Sequence, residues 1–339
     1  MRSAKLFIAI LVGAGVLVGA QSAEVLFDTY LQAVRLYQHN TFDSRSSPVA
    51  EFTKSELSKI RPLLQKQAPE VIQTAALVHT EIALTATDGE RVDLHLAFAE
   101  AVLKLLPTDF APGPAFSTGW HHVVPTIYLA RRDPESARPF IERGLRAFPD
   151  DARLHLLSGI AHETTAQLHA INCVDQGCLT RQLRLDLLKR TGFAASEYRR
   201  ALQLNGRLVD AQLRLGRVMT LSDDPRAARS AIEAALANGA DVSQRYLAAL
   251  FLASIATEAG DLQRARREYE SATTLCQSCQ TAYIGLGFVE AMIGGRTDSG
   301  GIERLFSREP LVDSDPWVAY QFPSLDSMTL DALRAEVRQ

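Results

Sequence analysis

The chain has few aromatic residues and few cysteines, and nowhere do apolar and polar residues alternate for the length of a strand. Phe, Trp and Tyr make up 7% of 339 residues, with only two Trp, and Cys occurs four times. Without alternation there is no half-buried sheet to predict. No Gly-x-Ser-x-Gly elbow, phosphate-binding loop or dinucleotide fingerprint occurs, so the common hydrolase, nucleotide and dehydrogenase signatures are missing. The net charge is only −3, which gives no support for wholesale nucleic-acid binding. What the chain does have is a 47% hydrophobic fraction rich in Ala and Leu, together with many Arg. These residues lose little on entering a helix, and the composition predicts an all-helical protein with a substantial core.

The first twenty residues are a separate matter. Arg2 and Lys5 precede an apolar run of 13 residues, Leu6 to Val18, and Val18-Gly19-Ala20 ends it before Gln21. A basic start, a short apolar region and small residues at a cleavage point describe a secretory signal peptide. A membrane span needs roughly 20 apolar residues, so this run is short for one. The expectation is an exported protein, periplasmic or extracellular. An uncleaved signal anchor is the alternative, and the only membrane attachment expected. No Cys follows the run, which argues against a lipoprotein anchor.

Helices follow one another after that. A first is predicted over 23–38, and Thr53 with Glu56 forms a capping box at the start of a second. Self-similarity carries more information. Ala194, Tyr198 and Ala201 recur as Ala228, Ile232 and Ala235 after 34 residues, then as Ala265, Tyr269 and Ala272 after 37. Ala137, Ile141 and Gly144 have the same spacing. Each triplet is small–large–small on one helical face, so a neighbouring helix approaches closely while one bulky side chain fills the gap. Gly216 and Ala253 lie twelve residues before two of the triplets, and Gly287 takes the equivalent place in the next unit. Turn signals stand between the helices: Arg132-Asp133-Pro134, Asp223-Asp224-Pro225 and Ala259-Gly260-Asp261.

This pattern resembles the tetratricopeptide repeat, a helix–turn–helix of 34 residues. Gly159 and Gly216 match its small first-helix position, Tyr128 its aromatic position, and Pro107 and Pro149 its closing proline. The customary first-helix Trp is absent, and His121, His155, Gln212, Ala249 and Tyr283 stand in its place. The clearest units are 118–151, 152–208, 209–245 and 246–279, with weaker ones at 75–109 and 280–294. The resemblance implies a right-handed superhelical solenoid of antiparallel helix pairs. The implied organisation is a signal peptide (1–20), N-terminal helices (21–74), a repeat array (75–295) and a tail (296–339) that caps the last apolar face. An insertion at about 163–185 is expected to project as a loop from an extended helix pair.

Four cysteines in an exported chain make disulfides the default, although three pairings are possible. The local pairs Cys173–Cys178 and Cys276–Cys279 are the preferred choice. Cys276-x-x-Cys279 also has the spacing of a redox motif. However, Cys276 falls near a helix C-terminus, where the dipole disfavours a thiolate, so a structural role is expected. His155, His162 and His169 recur every seven residues, but seven helical residues rise about 10.5 Å, too far for one zinc. Ala166 stands where His-Glu-x-x-His needs its second histidine. His121-His122 has no nucleophile at a recognisable spacing. The stretch 181–229 holds eleven basic and five acidic residues, either a solvated helix face or a surface for an acidic partner.

The resemblance further implies that the inner faces of the first helices hold a protein or peptide. The partner-binding positions so assigned are His122, Arg153, Leu156, Leu213, Arg217, Leu250, Ser254, Ile284 and Phe288, with Glu163 also facing the groove. The lysine and asparagine pattern of carboxylate-clamp repeats is absent. The expected function is a non-catalytic scaffold or adaptor of the cell envelope, without cofactor, metal or nucleic acid. Two alternatives stand beside it: a hydrolase or metal-dependent enzyme using His162, Glu163 and His169 in the insertion, and an architectural protein that self-associates.

Overall fold

The structure is a computed structural model that describes residues 22–108, 110–175, 181–222, 224–294, 315–321 and 327–337. Residues 1–21, where a signal peptide is expected, Cys178 and the start of the tail lie outside these residues, and so do the side chains of 171–184, including Cys173. All regular structure among the described residues is helical: α1 (Ala23–Gln38), a 3-10 turn (Pro48–Glu51), α2 (Lys54–Leu64), α3 (Pro69–Thr85), α4 (Gly89–Leu103), α5 (Pro114–Ala130), α6 (Pro134–Ala147), α7 (Ala152–Asp175), α8 (Arg181–Leu204), α9 (Val209–Leu221), α10 (Pro225–Ala237), α11 (Val242–Glu258), α12 (Leu262–Leu275), α13 (Gln280–Ile293), α14 (Pro316–Gln321) and α15 (Ser327–Val337). None of the described helices is long and apolar enough to cross a membrane.

The turns set the helix starts by one repeated device. Asp133, Asp224 and Asp261 each accept a hydrogen bond from the backbone N–H three residues on, at Ser136, Ala227 and Arg264. Each bond satisfies one of the orphan donors of a first turn. Pro134 and Pro225 follow directly, at the position where a missing N–H costs nothing. Thr53 and Glu56 form the expected reciprocal box.

The chain divides into two compact units, Met1–Ser117 with Asp331–Gln339, and Thr118–Leu330. The division falls after Ser117 and not at residue 74, so the weak repeat at 75–109 belongs with the N-terminal helices. In the first unit α3 is buried from Ile72 to Ala83 and carries His79 against His95 of α4, Nδ1 to Nδ1 at 2.6 Å. His95 Nε2 lies 3.3 Å from the Ala50 carbonyl, which can only accept, so the His95 proton sits on Nε2. His79 therefore donates through Nδ1, leaving a buried Nε2 acceptor without a hydrogen-bond partner. Glu81 on the same helix accepts Tyr37 Oη at 3.1 Å and the Arg334 guanidinium in a two-pronged pair at 2.6 and 2.8 Å. That pair ties the last helical turns of the chain to this unit.

The second unit is built from the pairs α5–α6, α7–α8, α9–α10 and α11–α12, with α13 following α12. The triplets behave as their spacing predicts: Ala194, Tyr198, Ala201, Ala228, Ile232 and Ala235 are all fully buried. Glycines receive the large members. A methyl group added at Gly159 would overlap the Tyr198 ring, one at Gly216 would overlap Ile232, and one at Gly285 would overlap Tyr269. The fourth pair starts earlier than its repeat register, because Asp241 and Gln244 cap α11 from Val242. The insertion is also mostly helix: residues up to Asp175 and from Arg181 lengthen α7 and α8 to 24 residues each. With Gly177 as its only helix breaker and no proline, the inserted sequence favours continuing both helices, and the loop expected between them lies outside the described residues.

Candidate functional site

The first helices α7, α9, α11 and α13 share an inner face, and the chain's own residues 315–321 lie across it. Asp315 is buried and holds one end. Its Oδ2 accepts from Thr281 N at 3.2 Å, Thr281 Oγ1 at 2.8 Å and Tyr246 Oη at 3.4 Å, while Oδ1 accepts from Trp317 N at 2.9 Å. One carboxylate thus starts α14 and also serves the N-terminus of α13, where Cys279 provides no side-chain cap. In the middle, Trp317 stacks on Tyr320 at 5.6 Å, and both meet the edge of Phe251. Arg217 lies 5.8 and 5.7 Å from the Phe251 and Trp317 ring centres.

Tyr320 is gripped at three points. Its hydroxyl donates to Glu163 Oε1 at 2.6 Å, its carbonyl accepts from Arg214 Nη2 at 2.9 Å, and its ring lies 4.3 Å below that guanidinium. Glu163 is 1% exposed and also accepts Tyr198 Oη at 2.5 Å and Arg214 Nη1 at 3.1 Å through Oε2. Burial raises the Tyr198 and Tyr320 hydroxyls well above the ordinary tyrosine range, and the Glu163 charge adds to it. Burial opposes the charge of Arg214, but Asp210 and Glu163 outweigh it and hold the guanidinium firmly protonated. Glu163 and Arg214 therefore form a buried pair that reaches Tyr320 through Oε1 and Nη2, with Tyr198, Gln167 and Asp210 as its other partners. A cavity of about 840 Å³ opens beside the segment, walled by Leu187, Leu188, Leu221 and Trp317, with Arg132 and Arg217 on its lining.

The positions assigned from sequence fall in different surroundings. Arg217 and Glu163 touch the segment directly. Leu156, Leu213 and Leu250 are on the expected helices but buried, with Leu213 1% and Leu250 5% exposed, so a charge at either would disturb packing before it disturbed binding. Ile284 and Phe288 of α13 are 55% and 61% exposed. His122 Nε2 pairs with Asp151 Oδ1 at 3.0 Å, and Asp151 caps α7 through the N–H groups of Arg153 and Leu154. Burial pushes the Asp151 carboxyl up, yet His122 and those two N–H groups hold it below the usual range. Ser254 is half-buried and bonds Glu258 at 3.3 Å.

The residues that sequence reasoning missed are Arg214, Tyr246, Phe251 and Thr281, along with the destination of Asp315, Trp317 and Tyr320. The tail was expected to cover the end of the array, yet residues 315–321 lie across the inner helices and Arg334 pairs with Glu81 of the first unit. Its run of Asp315-Pro316-Trp317 and Tyr320 was the one available signal. The disulfide Cys276–Cys279 closes the turn between α12 and α13, with Cys276 at the C-cap of α12 as expected. The Cys173–Cys178 pairing lies outside the described residues. His155 bonds Glu197 at 2.7 Å and the Pro149 carbonyl at 3.0 Å, a packing arrangement. Among the described residues no three His, Cys, Asp or Glu side chains are grouped as for a metal ion.

A family model described as tetratricopeptide repeat matches residues 222–278, from the turn before α10 to the turn after α12. Over those residues the chain matches the tetratricopeptide repeat. Among solved structures, a monomeric mutant of IFIT1 with Gppp-AAAA is similar at 14% identity and a TM-score of 0.42 over 86% of this chain. The chain spans 64% of the length of that protein. The C-terminal part of a TPR repeat-containing protein from Cytophaga hutchinsonii is similar at 13% identity and a TM-score of 0.33, over 76% of this chain and 99% of that one. No curated protein matches the chain in sequence. Tetratricopeptide arrays serve typically as protein-interaction scaffolds, each helix pair burying its apolar face against the next and leaving the inner helices to line a continuous surface.

Proposed function

We propose that the protein is a non-catalytic adaptor of the cell envelope that holds a peptide or protein segment against α7, α9, α11 and α13. One observation carries this reading: the inner face already receives a peptide, Asp315–Gln321, and meets it with side chains from all four helices. The face offers donors for a carboxylate and a backbone carbonyl, aromatic edges for rings, and an apolar cavity alongside. These are the elements of helix-in-groove recognition. The envelope location rests on the sequence alone, on Arg2, Lys5 and the apolar run that ends at Ala20, and predicts a mature chain beginning at Gln21.

The test is affinity capture from envelope extract with the wild-type chain beside Arg217→Glu and Phe288→Asp, two changes at positions outside the fully buried core. A partner recovered by the wild type and lost with Arg217→Glu supports the reading. Equal recovery by all three chains rejects the inner face as the binding surface. Intact-mass measurement of the exported protein tests the location, and a chain that keeps residues 1–20 argues against a cleaved leader.

A further inference from the structure

We infer that Asp315–Gln321 is an internal ligand that holds the groove in place of a partner of the same chemistry, and that the partner binds by displacing it. The chemistry is a short helix opened by an acidic residue, with two aromatic side chains three positions apart. This rests on the groove reading above and adds the identity of the motif and its competition with the chain itself.

The first argument comes from the groove. Arg214 directs Nη2 at the Tyr320 carbonyl, and Glu163 directs Oε1 at the Tyr320 hydroxyl. Both side chains are almost completely buried. Removing Tyr320 would take a partner from each member of a buried charge pair, which is costly whenever nothing replaces it. Whatever occupies this place must therefore supply a phenol and a carbonyl. The next argument comes from the segment. A helix of six residues does not hold itself together in water, so α14 owes its form to the groove and to Asp315 at its start. Its side chains are spent on the groove: Asp315 on Thr281 and Tyr246, Trp317 on Phe251, Tyr320 on Glu163 and Arg214.

Arg217 supplies a means of displacement. It lies over Phe251 and Trp317, lines the 840 Å³ cavity, and makes no ion pair among the described residues. An external segment that repeats the internal motif and adds a carboxylate at this cavity would gain a charge-assisted bond that the internal ligand lacks. The internal ligand has the advantage of tethering. A tethered segment acts at an effective concentration on the order of 1 mM, so an external peptide of about 10 µM intrinsic affinity is weakened about 100-fold.

The experiment titrates a fluorescein-labelled peptide with the sequence of residues 313–323 onto the full chain, read by anisotropy. It compares wild type with the double variant Trp317→Ala/Tyr320→Ala, whose fold is checked by circular dichroism and hydrogen exchange. Tyr320→Phe removes only one hydroxyl and serves if the double variant fails to fold. The peptide is expected to bind the double variant at least about 30-fold more tightly than wild type, and Tyr320→Phe about tenfold more tightly. Adding Arg217→Glu to either variant should weaken the peptide again. Equal affinity for wild type and the opened chain overturns the inference. The groove reading still stands in that case if Arg217→Glu loses the captured partner. A folded, opened chain that ignores the peptide overturns the assigned chemistry. A wild-type dimer that the peptide dissociates would place the segment on a second copy and overturn the internal arrangement.

Discussion

Lowering the pH from 7.5 to 4.5 drives protons toward two imidazoles that the first unit buries, His79 and His95. Burial depresses the His95 pKa from 6.5 to about 4, with Arg91 pushing the same way and the Ala50 carbonyl, Glu51 and Asp88 partly opposing. Burial lowers His79 well below its usual value, and His95 adds to the effect. Tyr30 and Phe98 are the aromatic neighbours of His79. Because the folded pKa lies below the unfolded one, the unfolded chain binds more protons in this window and stability falls with pH. The stabilisation is complete above about pH 6.5 and is lost down through the folded pKa. For His95 the loss is about 2 kcal/mol at pH 5 and about 3 kcal/mol by pH 4, at about 1.36 kcal/mol per pH unit. His79 loses stability in the same direction, a large sum against a typical total of about 5–15 kcal/mol. The assay is urea unfolding at pH 7.5, 6.5, 5.5 and 4.5, with hydrogen exchange of residues 72–102 to locate the change. His79→Asn/His95→Asn keeps two amides near the place of the ring Nδ1 atoms and removes both titrations. Its slope between pH 6.5 and 4.5 should be shallower than wild type, with the remainder coming from groups such as His121 and His162, which burial also shifts down. If the variant loses stability with acid as steeply as wild type, the pair does not carry the pH dependence.

Two further outcomes follow from packing and charge. Gly159→Ala and Gly216→Ala each force a methyl group against Tyr198 or Ile232, and should cost about 1–3 kcal/mol in denaturant unfolding; a neutral result would mean those helices are not in close approach. Arg334→Ala leaves Glu81 with Tyr37 as its remaining hydrogen-bond donor and should destabilise the first unit by about 2–4 kcal/mol. Arg334→Lys recovers less than half of that loss, since an ammonium cannot make the two-pronged pair; full recovery by Lys would show that charge alone matters there.

The repeat architecture was legible because its signal is local. Ala194, Tyr198 and Ala201 stand on one face by spacing alone, and the structure buries all three over Gly159. Helix starts were legible at Thr53 with Glu56 and at the Asp-containing turns before Pro134, Pro225 and Leu262. The start of α11 was missed because the register of its neighbours placed it at 246, while Asp241 and Gln244 cap it earlier. The inner face was legible as a direction only. Family position says that Leu213 and Leu250 point inward, but not that they are buried there. The match of Glu163 with Tyr320 spans 157 residues and leaves no periodic trace, so a tail containing Trp317 and Tyr320 read as a cap. His79 and His95 had no motif at all, since their sixteen-residue separation becomes a contact only through the packing of α3 on α4.

The Glu163–Arg214 pair bears on why the groove should discriminate among occupants. A buried ion pair is a poor source of stability, because apolar residues of the same volume would hold the helices as well or better. What such a pair does provide is a penalty for the wrong occupant. An apolar side chain in place of Tyr320 would bury Glu163 Oε1 without its phenol donor, while Arg214 Nη2 would keep the backbone carbonyl that any residue supplies. That loss costs about 1–3 kcal/mol, which separates a Tyr-bearing segment from a Leu-bearing one by about 5- to 150-fold. Phe251 rewards any flat ring, so this aromatic edge alone would accept many segments. Selectivity on this face therefore resides in Glu163, while the Arg214 bond to the backbone carbonyl and the Phe251 ring add affinity.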